Sequence, residues 1–248
     1  MIISHKYKFI FIKTRKVGGT SLEIAISKYL GSGDIVTPAD PEDEEMRRSK
    51  GFVSSQNYKI PLREIGLKEI YIGGKKVYKT GRRCLLRRSK FSVKWPKKYY
   101  NHIPANLVRK LIGEKIWESY FKFSIERNPW DLAVSMYFFK IRSNNKISFK
   151  DFIREGKAYI ASNFDLYSID GIPALDRIIK YETLDSELPE ISRDIGLPEN
   201  IFEAMKAIRA KGHYRMGEGY KSFYDEETKN LIKVQFAREI ALFNYSFE

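Results

Sequence analysis

The segment KTRKVGGTS at residues 13–21 follows the apolar run FIFI at residues 9–12 and precedes residues with helical spacing. The stretch over residues 7–12 is aromatic and β-branched, which predicts a strand buried on both faces of a parallel sheet. Gly18 and Gly19 allow the backbone to turn tightly and bring its N–H groups close to a ligand. The segment therefore predicts a strand, a tight turn and a helix.

The side chains of this segment are those of an anion-binding loop. Thr20 and Ser21 supply hydroxyl groups where the helix would begin, and the unpaired first N–H groups of a helix attract an anion. Lys16 adds a full positive charge. The alternative is a strand, turn and helix that bind nothing, because short glycine motifs often recur by chance. A second feature has to decide between the two interpretations.

Composition limits the possible functions. The 248 residues are 43% hydrophobic and 31% charged, which is typical of a globular protein with a substantial core. The 45 basic and 31 acidic side chains give a net charge of +14, which favours phosphate-bearing or polyanionic ligands. Nucleic-acid binders share this charge, so the charge alone does not define the ligand.

Localisation is predicted from cysteine content and apolar runs. Cys84 is the single cysteine, so the chain has no intramolecular disulfide, which fits a reducing compartment. No run approaches the roughly 20 apolar residues of a membrane span. The segment at residues 2–12 is interrupted by charged residues and lacks a small-residue cleavage site, unlike a signal peptide. We expect a cytoplasmic protein without a membrane span.

The region between residues 31 and 98 is the least regular. Residues 34–45 are acidic and contain two prolines, which predicts a solvated surface loop. Residues 69–78 predict a β-hairpin around Gly73-Gly74. Residues 75–98 hold eleven Lys or Arg and no Asp or Glu, so they form either a solvated basic arm or part of a site for an anionic substrate.

His102 is a candidate catalytic residue. It is expected at a strand-to-helix junction, before a helix that begins near Pro104 and stops near Gly113. Loops after strands carry much of the chemistry of α/β proteins, which favours His102 over His5 and His213. The alternative is a structural histidine that only makes a hydrogen bond.

The second feature is the segment YFKFSIERNPWDLAVS at residues 120–135, again a strand followed by a polar turn and a helix. Arg127 is expected at the carboxyl end of the strand, where open parallel sheets bind ligands. A helix is predicted over residues 131–142, with Pro129 near its start. Ser135 lies eight residues after Arg127, about two helical turns along the segment if the helix starts near Pro129, so it could face the same anion. Two such sites on one sheet imply a ligand with anionic groups at both ends. Glu126 is either a buried group that orients the site or one half of a salt bridge.

The two segments KTRKVGGTS and ERNPWDLAVS resemble the nucleotide-binding motifs of sulfotransferases that use 3′-phosphoadenosine 5′-phosphosulfate (PAPS), above all the carbohydrate-type and bacterial branch. The resemblance extends to a His-containing segment before the second motif, and to residues 181–184, 211–215 and 224–247. It is weak only between about 31 and 98. The family implies a P-loop nucleoside-triphosphate-hydrolase-like sulfotransferase fold.

The resemblance also implies roles for individual residues. Those expected to hold the 5′-phosphosulfate are Arg15, Lys16, Gly18, Gly19, Thr20 and Ser21. Arg127 and Ser135 are expected to hold the 3′-phosphate, and Lys16 to stabilise charge on the bridging oxygen. His102 matches the general base that takes a proton from the acceptor hydroxyl. Lys211 and Arg215 fall where the family has a basic loop over the nucleotide, with Lys221 as a competing candidate.

We therefore expect one α/β domain over residues 1–248, a three-layer sandwich with a central, mainly parallel sheet. A variable basic insertion at about 31–98 would shape the acceptor site, and residues 225–242 would form one long amphipathic helix. The expected reaction is transfer of a sulfuryl group from PAPS, without a metal, to a hydroxyl, preferably on a carbohydrate that is itself anionic. The alternatives are a P-loop nucleotide or small-molecule kinase and a non-enzymatic basic module that binds polyanions; nucleic acid is not expected as a partner.

Overall fold

A computed structural model describes residues 1–60, 97–141, 147–208 and 219–247, together with the backbone of two strands at 67–72 and 75–80. Most of the basic segment 75–98 lies outside the described residues. Its role in acceptor binding, and the single domain with an insertion, stay predictions.

Five strands form the central sheet and four others form two small hairpins. The strands are β1 (Ile2–Ser4), β2 (Phe9–Phe11), β3 (Ile35–Val36), β4 (Leu67–Ile72), β5 (Lys75–Thr80), β6 (Phe121–Glu126), β7 (Ser168–Ile169), β8 (Ile172–Pro173) and β9 (Arg177–Lys180). The predicted hairpin is confirmed, because β4 and β5 pair antiparallel with Ile72 opposite Lys75.

The helices surround this sheet. They are α1 (Gly19–Ser27), α2 (Pro41–Ser49), α3 (Ala105–Ile112), α4 (Glu114–Ser119), α5 (Pro129–Ile141), α6 (Phe149–Arg154), α7 (Phe164–Tyr167), α8 (Leu184–Asp194), α9 (Ile201–Lys206), α10 (Glu226–Gln235) and α11 (Ala237–Phe243). None of the helices in the described ranges is long and apolar enough to cross a membrane.

The central sheet has the order β3-β1-β2-β6-β9. β2 pairs in parallel with β6, and β6 in parallel with β9, whereas β1 runs antiparallel to both β2 and β3. Four of the five strands therefore point the same way. The prediction of an α/β protein with a central, mainly parallel sheet is confirmed at this level.

Both faces of the sheet are covered, as the apolar sequence of β2 predicts. Phe9 and Phe11 are fully buried in a core that includes residues of α1 and α8. Ile10 and Ile12 are fully buried in a second core with residues of α3 and α4. Because side chains alternate along a strand, these two cores lie on opposite faces. The arrangement is compatible with an α/β sandwich.

The predicted solvated loop over residues 34–45 is wrong. Asp34 is 1% exposed, and its carboxylate accepts the N–H groups of His5 at 2.6 Å and Gly31 at 2.8 Å. β3 follows at once and joins the central sheet, and α2 begins at Pro41. Acidic composition was misleading because the Asp34 and Glu44 carboxylates find partners inside the fold, which composition does not reveal.

The single long helix predicted over residues 225–242 is also wrong. The chain leaves helical geometry at Phe236, with φ −114° and ψ 29°, so that α10 ends before it and α11 begins after it. The Phe236 side chain is fully buried in a core with residues of α5 and α6. Packing of this ring overrides the helical periodicity of the sequence.

A buried ion cluster joins β2 to α1 and α2. Glu23 on α1 accepts a hydrogen bond from Lys13 at 2.6 Å, and the guanidinium of Arg47 lies 3.7 Å away. All three side chains are at most 4% exposed. Burial alone would raise the pKa of the Glu23 carboxyl, but the positive charges of Lys13 and its neighbours hold that pKa at about 2.

Glu23→Gln should destabilise the protein by about 3 kcal/mol at pH 7, because it leaves Lys13 and Arg47 buried without their shared anion. Urea unfolding of the two proteins measures this. Since the folded pKa is depressed, the stabilisation is complete above the ordinary value of 4.5 and is lost as the pH falls through about 2. The difference between the proteins should therefore narrow over that range.

Glu199→Gln is the control, since Glu199 forms an exposed ion pair with Lys28 at the end of α1. It should change stability little. Equal losses in the two variants would contradict the role assigned to the buried cluster.

Candidate functional site

The parallel pairing of β2 and β6 places two strand-to-helix turns side by side. Phe11 in β2 pairs with Phe123 in β6, so both strands end at the same edge of the sheet. The segment 13–18 connects β2 to α1 at this edge. Arg127 lies in the short turn that connects β6 to α5. This is the carboxyl edge, where open α/β sheets bind ligands.

The first turn has the backbone of an anion-binding loop. Gly18 is the N-cap of α1, with φ +70°, and as a glycine it has no side chain to cap the helix. A Cβ on Gly18 would lie 3.0 Å from Cε of Met205, so a side chain there would be both strained and crowded. Lys16 is also left-handed, with φ +61°, an unusual conformation for a lysine. The uncapped N–H groups and the positive end of the helix dipole favour an anion at this end of α1.

A cavity of about 850 Å³ lies at this edge. Six basic and two acidic side chains line it: Lys13, Arg15, Lys16, Arg127, Lys140, Lys206, Asp40 and Asp131. Cavities of this size hold cofactors and small-molecule substrates. The excess of basic residues favours an anionic occupant.

Arg127 is fixed by contacts on two sides. Its Nε and one terminal nitrogen donate to Asp131 Oδ2 at 2.8 and 2.6 Å, and its other terminal nitrogen donates to the carbonyl oxygen of Lys16 at 2.8 Å. The guanidinium stacks on Tyr181, 4.2 Å from the ring centre. These contacts use three of its five N–H groups, and the other two are available for a ligand oxygen as far as the described residues show.

The helix after Arg127 presents one face to the cavity. Asp131, Ser135 and Phe139 follow at intervals of four residues on α5, and all three line the cavity. Ser135 is half-buried. The ammonium of Lys16 lies over the Phe139 ring at 4.5 Å, so a cation–π contact holds it against α5.

His102 lies in a turn just before α3, with φ +55°. No strand precedes it over the described residues 97–101, where Lys97 makes only an isolated bridge with Lys59, so the predicted strand-to-helix junction is wrong there. Its Nδ1 is 3.1 Å from the carbonyl oxygen of Lys13. Because a carbonyl only accepts, Nδ1 carries the proton, and Nε2 of the neutral ring keeps a lone pair.

The environment of His102 favours the neutral ring. Burial, followed by the positive charge of Lys13, lowers the pKa of the imidazole from 6.5 to about 4. Burial also lowers the pKa of the Arg15 guanidinium. The free protein therefore holds an uncharged base in a cationic cavity at neutral pH.

The structure brings together most of the predicted site residues. The predicted residues that line this one cavity are Arg15, Lys16, Gly18, Gly19, Thr20, Ser21, His102, Arg127 and Ser135. Lys211 and Arg215 lie outside the described residues. Lys221 is exposed in a short 3-10 helix (Tyr220–Phe223) and is not part of the described cavity lining.

Glu126 has no salt bridge with any described residue, so that interpretation is wrong. Its carboxylate is 1% exposed and accepts hydrogen bonds from the Arg127 N–H, the Asn163 side chain and the Tyr167 hydroxyl, at 2.9, 3.1 and 2.9 Å. Burial raises its pKa to about 7. The three donors oppose this shift only in part, so Glu126 is a buried carboxyl held by neutral groups.

Three further residues that line the cavity and orient its side chains were not identified as site residues from the sequence. Asp131 pairs with Arg127 four residues earlier, a spacing that the sequence contained as a signal. Lys13 and Tyr181 also line the cavity, one tied to Glu23 and the other stacked on Arg127. Lys13 lay in the quoted segment, but only tertiary contacts reveal its partner. Within the described parts of the chain, no cluster of His, Cys, Asp or Glu is arranged to hold a metal ion.

Fold and site together define an α/β protein with a cationic cavity at the carboxyl edge of its sheet. Among known proteins, no family model and no solved structure matches the chain. An uncharacterized protein of Archaeoglobus fulgidus is 34% identical over 105 residues, which are 40% of this chain and 87% of the archaeal protein. The chain belongs to the same family as this archaeal protein.

In the free protein, the His102 imidazole should titrate with a midpoint near pH 4, because burial and Lys13 disfavour its charged form. NMR of the ring nitrogens measures the midpoint, and the spectrum of His102→Asn assigns the signals. Since the unfolded chain takes up this proton near 6.5, His102 should cost the protein about 3 kcal/mol of stability as the pH falls from 6.5 to 4. A midpoint at or above 6.5 would contradict the neutral, buried ring.

Proposed function

We propose that this protein is a sulfotransferase that moves the sulfuryl group of PAPS to an acceptor hydroxyl. The observation that carries the proposal is the convergence of two strand-to-helix turns and a neutral histidine on one cationic cavity. The sequence resemblance assigns these same turns to the two anionic ends of the nucleotide. On this proposal the fold is the P-loop-like sulfotransferase fold.

The residues fit a nucleotide with anionic groups at both ends. The uncapped start of α1, with Lys16, Thr20 and Ser21, suits the 5′-phosphosulfate. The remaining N–H groups of Arg127, together with Ser135, suit the 3′-phosphate. Stacking on Tyr181 and pairing with Asp131 fix the guanidinium in advance, which lowers the entropy cost of binding.

The donor supplies an activated sulfuryl group and leaves as 3′-phosphoadenosine 5′-phosphate (PAP). Lys16 places a positive charge at the 5′ end, where negative charge develops on the bridging oxygen. His102 Nε2 accepts the proton of the acceptor hydroxyl as the new S–O bond forms. In such a transfer, positioning and electrostatic stabilisation supply most of the rate enhancement.

The low pKa of His102 is a property of the free protein. Its second cause is the charge of Lys13, and Arg15 contributes in the same direction. Anionic groups of the donor would offset both charges and raise the pKa of the ring. His102 would then become a stronger base once the donor is bound.

A carbohydrate hydroxyl is the preferred acceptor, on the strength of the resemblance to the carbohydrate-type branch, and cytoplasmic localisation remains part of the proposal. A screen with labelled PAPS against polysaccharide, glycolipid and phenolic acceptors tests the reaction and its acceptor together. Transfer to none of these acceptors, with no binding of PAP, would overturn the proposal.

A kinase and a polyanion-binding module are the competing functions. A P-loop kinase would carry its lysine after the glycines, whereas Lys16 precedes Gly18 and Gly19. Thermal stabilisation by ATP with Mg²⁺, and not by PAP, would favour the kinase. Lys16→Ala separates the module from the enzyme, because loss of transfer with polyanion binding retained would argue against the module.

His102→Gln should lower the transfer rate by about 10²- to 10⁴-fold, the usual loss of a general base, and leave PAP affinity nearly unchanged. Initial rates with labelled PAPS and calorimetry with PAP provide the two readouts. His5→Gln is the matched control, since His5 contacts Tyr120 outside the cavity lining. Normal turnover by His102→Gln would remove His102 as the base.

Arg127→Gln should weaken PAP by about tenfold or more while changing adenosine 5′-phosphate much less, because charge-assisted hydrogen bonds to a phosphate each contribute roughly 1.5 kcal/mol or more. Calorimetric titrations with the two nucleotides measure this difference. Arg177→Gln, at the opposite end of β9, is the control and should leave both affinities unchanged. Equal losses for the two nucleotides in Arg127→Gln would show that the 3′-phosphate binds elsewhere.

A further inference from the structure

Asn163 is a fully buried polar residue that forms hydrogen bonds with the first turn of the site, between β2 and α1. It immediately precedes α7. Its Oδ1 accepts the backbone N–H of Arg15 at 2.7 Å, and its Nδ2 donates to the carbonyl oxygen of Arg15 at 3.2 Å. One side chain thus satisfies both backbone groups of a residue 148 positions away in the sequence.

The same amide reaches the second turn through Glu126. Asn163 Nδ2 lies 3.1 Å from Glu126 Oε1, and that oxygen also accepts the backbone N–H of Arg127 at 2.9 Å. Tyr167 donates to the other carboxylate oxygen at 2.9 Å, and burial raises the pKa of its hydroxyl, which keeps it a donor. The path from Arg15 to Arg127 therefore consists of part-buried hydrogen bonds at Arg15 and buried ones around Glu126.

A second path between the turns lies on the cavity side. The Arg127 guanidinium donates to the carbonyl oxygen of Lys16 at 2.8 Å. The two paths close a ring: the backbone of residues 15 and 16, the Arg127 side chain and backbone, Glu126 and Asn163. Neither turn can move relative to the other without breaking a hydrogen bond in each path. Each buried group left unpaired in this way costs about 1–3 kcal/mol.

We infer that Asn163 is a positioning residue that, through Glu126, fixes the spacing between the two anion-binding turns, so that a ligand with two separated anionic groups gains from both at once. We call this fixing of the two turns by Asn163 and Glu126 the bracing, and it depends only on the observed contacts. The choice of PAP as the ligand that reports it rests on the proposed function.

An asparagine is the side chain that this position requires. It offers an acceptor for one N–H and two donors for the carbonyl oxygen and the carboxylate. The substitution Asn163→Asp would set a second carboxylate against Glu126 and a carbonyl oxygen. A leucine of similar size would remove the Asn163 partner of both backbone groups of Arg15 and one of the three donors to Glu126. Asn163 is absent from the cavity lining, so its contribution is indirect.

The test compares PAP with adenosine 5′-phosphate, which differ only in the 3′-phosphate. In Asn163→Leu, the ratio of the two affinities should fall by about tenfold, since coupling between two sites is lost. A purely structural role would lower both affinities by the same factor and leave the ratio unchanged, which would overturn the proposal. Ser192→Ala, which removes a buried hydroxyl in α8, is the matched control and should leave the ratio unchanged.

Amide hydrogen exchange of the ligand-free protein tests the bracing without any nucleotide, because the backbone N–H groups of Arg15 and Arg127 are both hydrogen-bonded in it. Asn163→Leu should accelerate exchange at both Arg15 and Arg127. Glu126→Gln should accelerate exchange at Arg15 as well, because Asn163 connects the two residues by hydrogen bonds. It serves as the second variant if Asn163→Leu does not fold. Unchanged exchange at Arg15 in Glu126→Gln would overturn the proposal.

The outcomes for the two proposals are distinguishable. If wild-type protein binds neither nucleotide, the proposed function fails, and hydrogen exchange alone decides on the bracing. If PAP binds and the affinity ratio is the same in Asn163→Leu as in wild type, the function stands and the bracing is overturned.

Discussion

The parallel pairing of β2 with β6 is the constraint on which the site depends. Each strand ends in a polar turn and a helix, and only a parallel arrangement brings both turns to one edge. β1 lies antiparallel beside β2, so its ends contribute no comparable turn to this edge. The apolar faces of the sheet are buried by helices on both sides, which leaves the strand ends as the natural place for polar chemistry.

Buried carboxylates pair with two of the cationic side chains of the site and orient them. Glu23 holds Lys13 and Asp131 holds Arg127, so two cationic side chains arrive at the cavity already paired and oriented. The cavity still carries more basic than acidic side chains, and this excess, together with burial, keeps His102 neutral. The same charges therefore favour an anionic ligand and disfavour protonation of His102. A preorganised site of this kind spends less binding energy on reorganising its own groups.

The local motifs could be predicted from the sequence, whereas the groups that support them could not. Residues 13–21 and 126–135 were located because their signals are short-range: an apolar strand, a glycine turn and a helix start. Asn163 escaped detection because it meets Arg15 only in the fold, and no spacing rule connects them. The loop predicted around Asp34 and the single helix predicted across Phe236 were wrong because both side chains are buried. Neither acidic composition nor helical spacing reveals such burial. Asp131 was the one supporting residue whose spacing from Arg127 gave a usable signal.

The left-handed backbone at Lys16 and His102 sets backbone stability against the presentation of two side chains in the cavity. Each non-glycine residue in this conformation costs about 1–3 kcal/mol, and both residues carry side chains that reach the cavity. Glycine at either position would relieve the strain at the cost of the ammonium or the imidazole. Glycine at these two positions would therefore give a more stable scaffold with a cavity that has lost a cation or an imidazole, so the strain in the backbone is the energetic cost of presenting these two side chains.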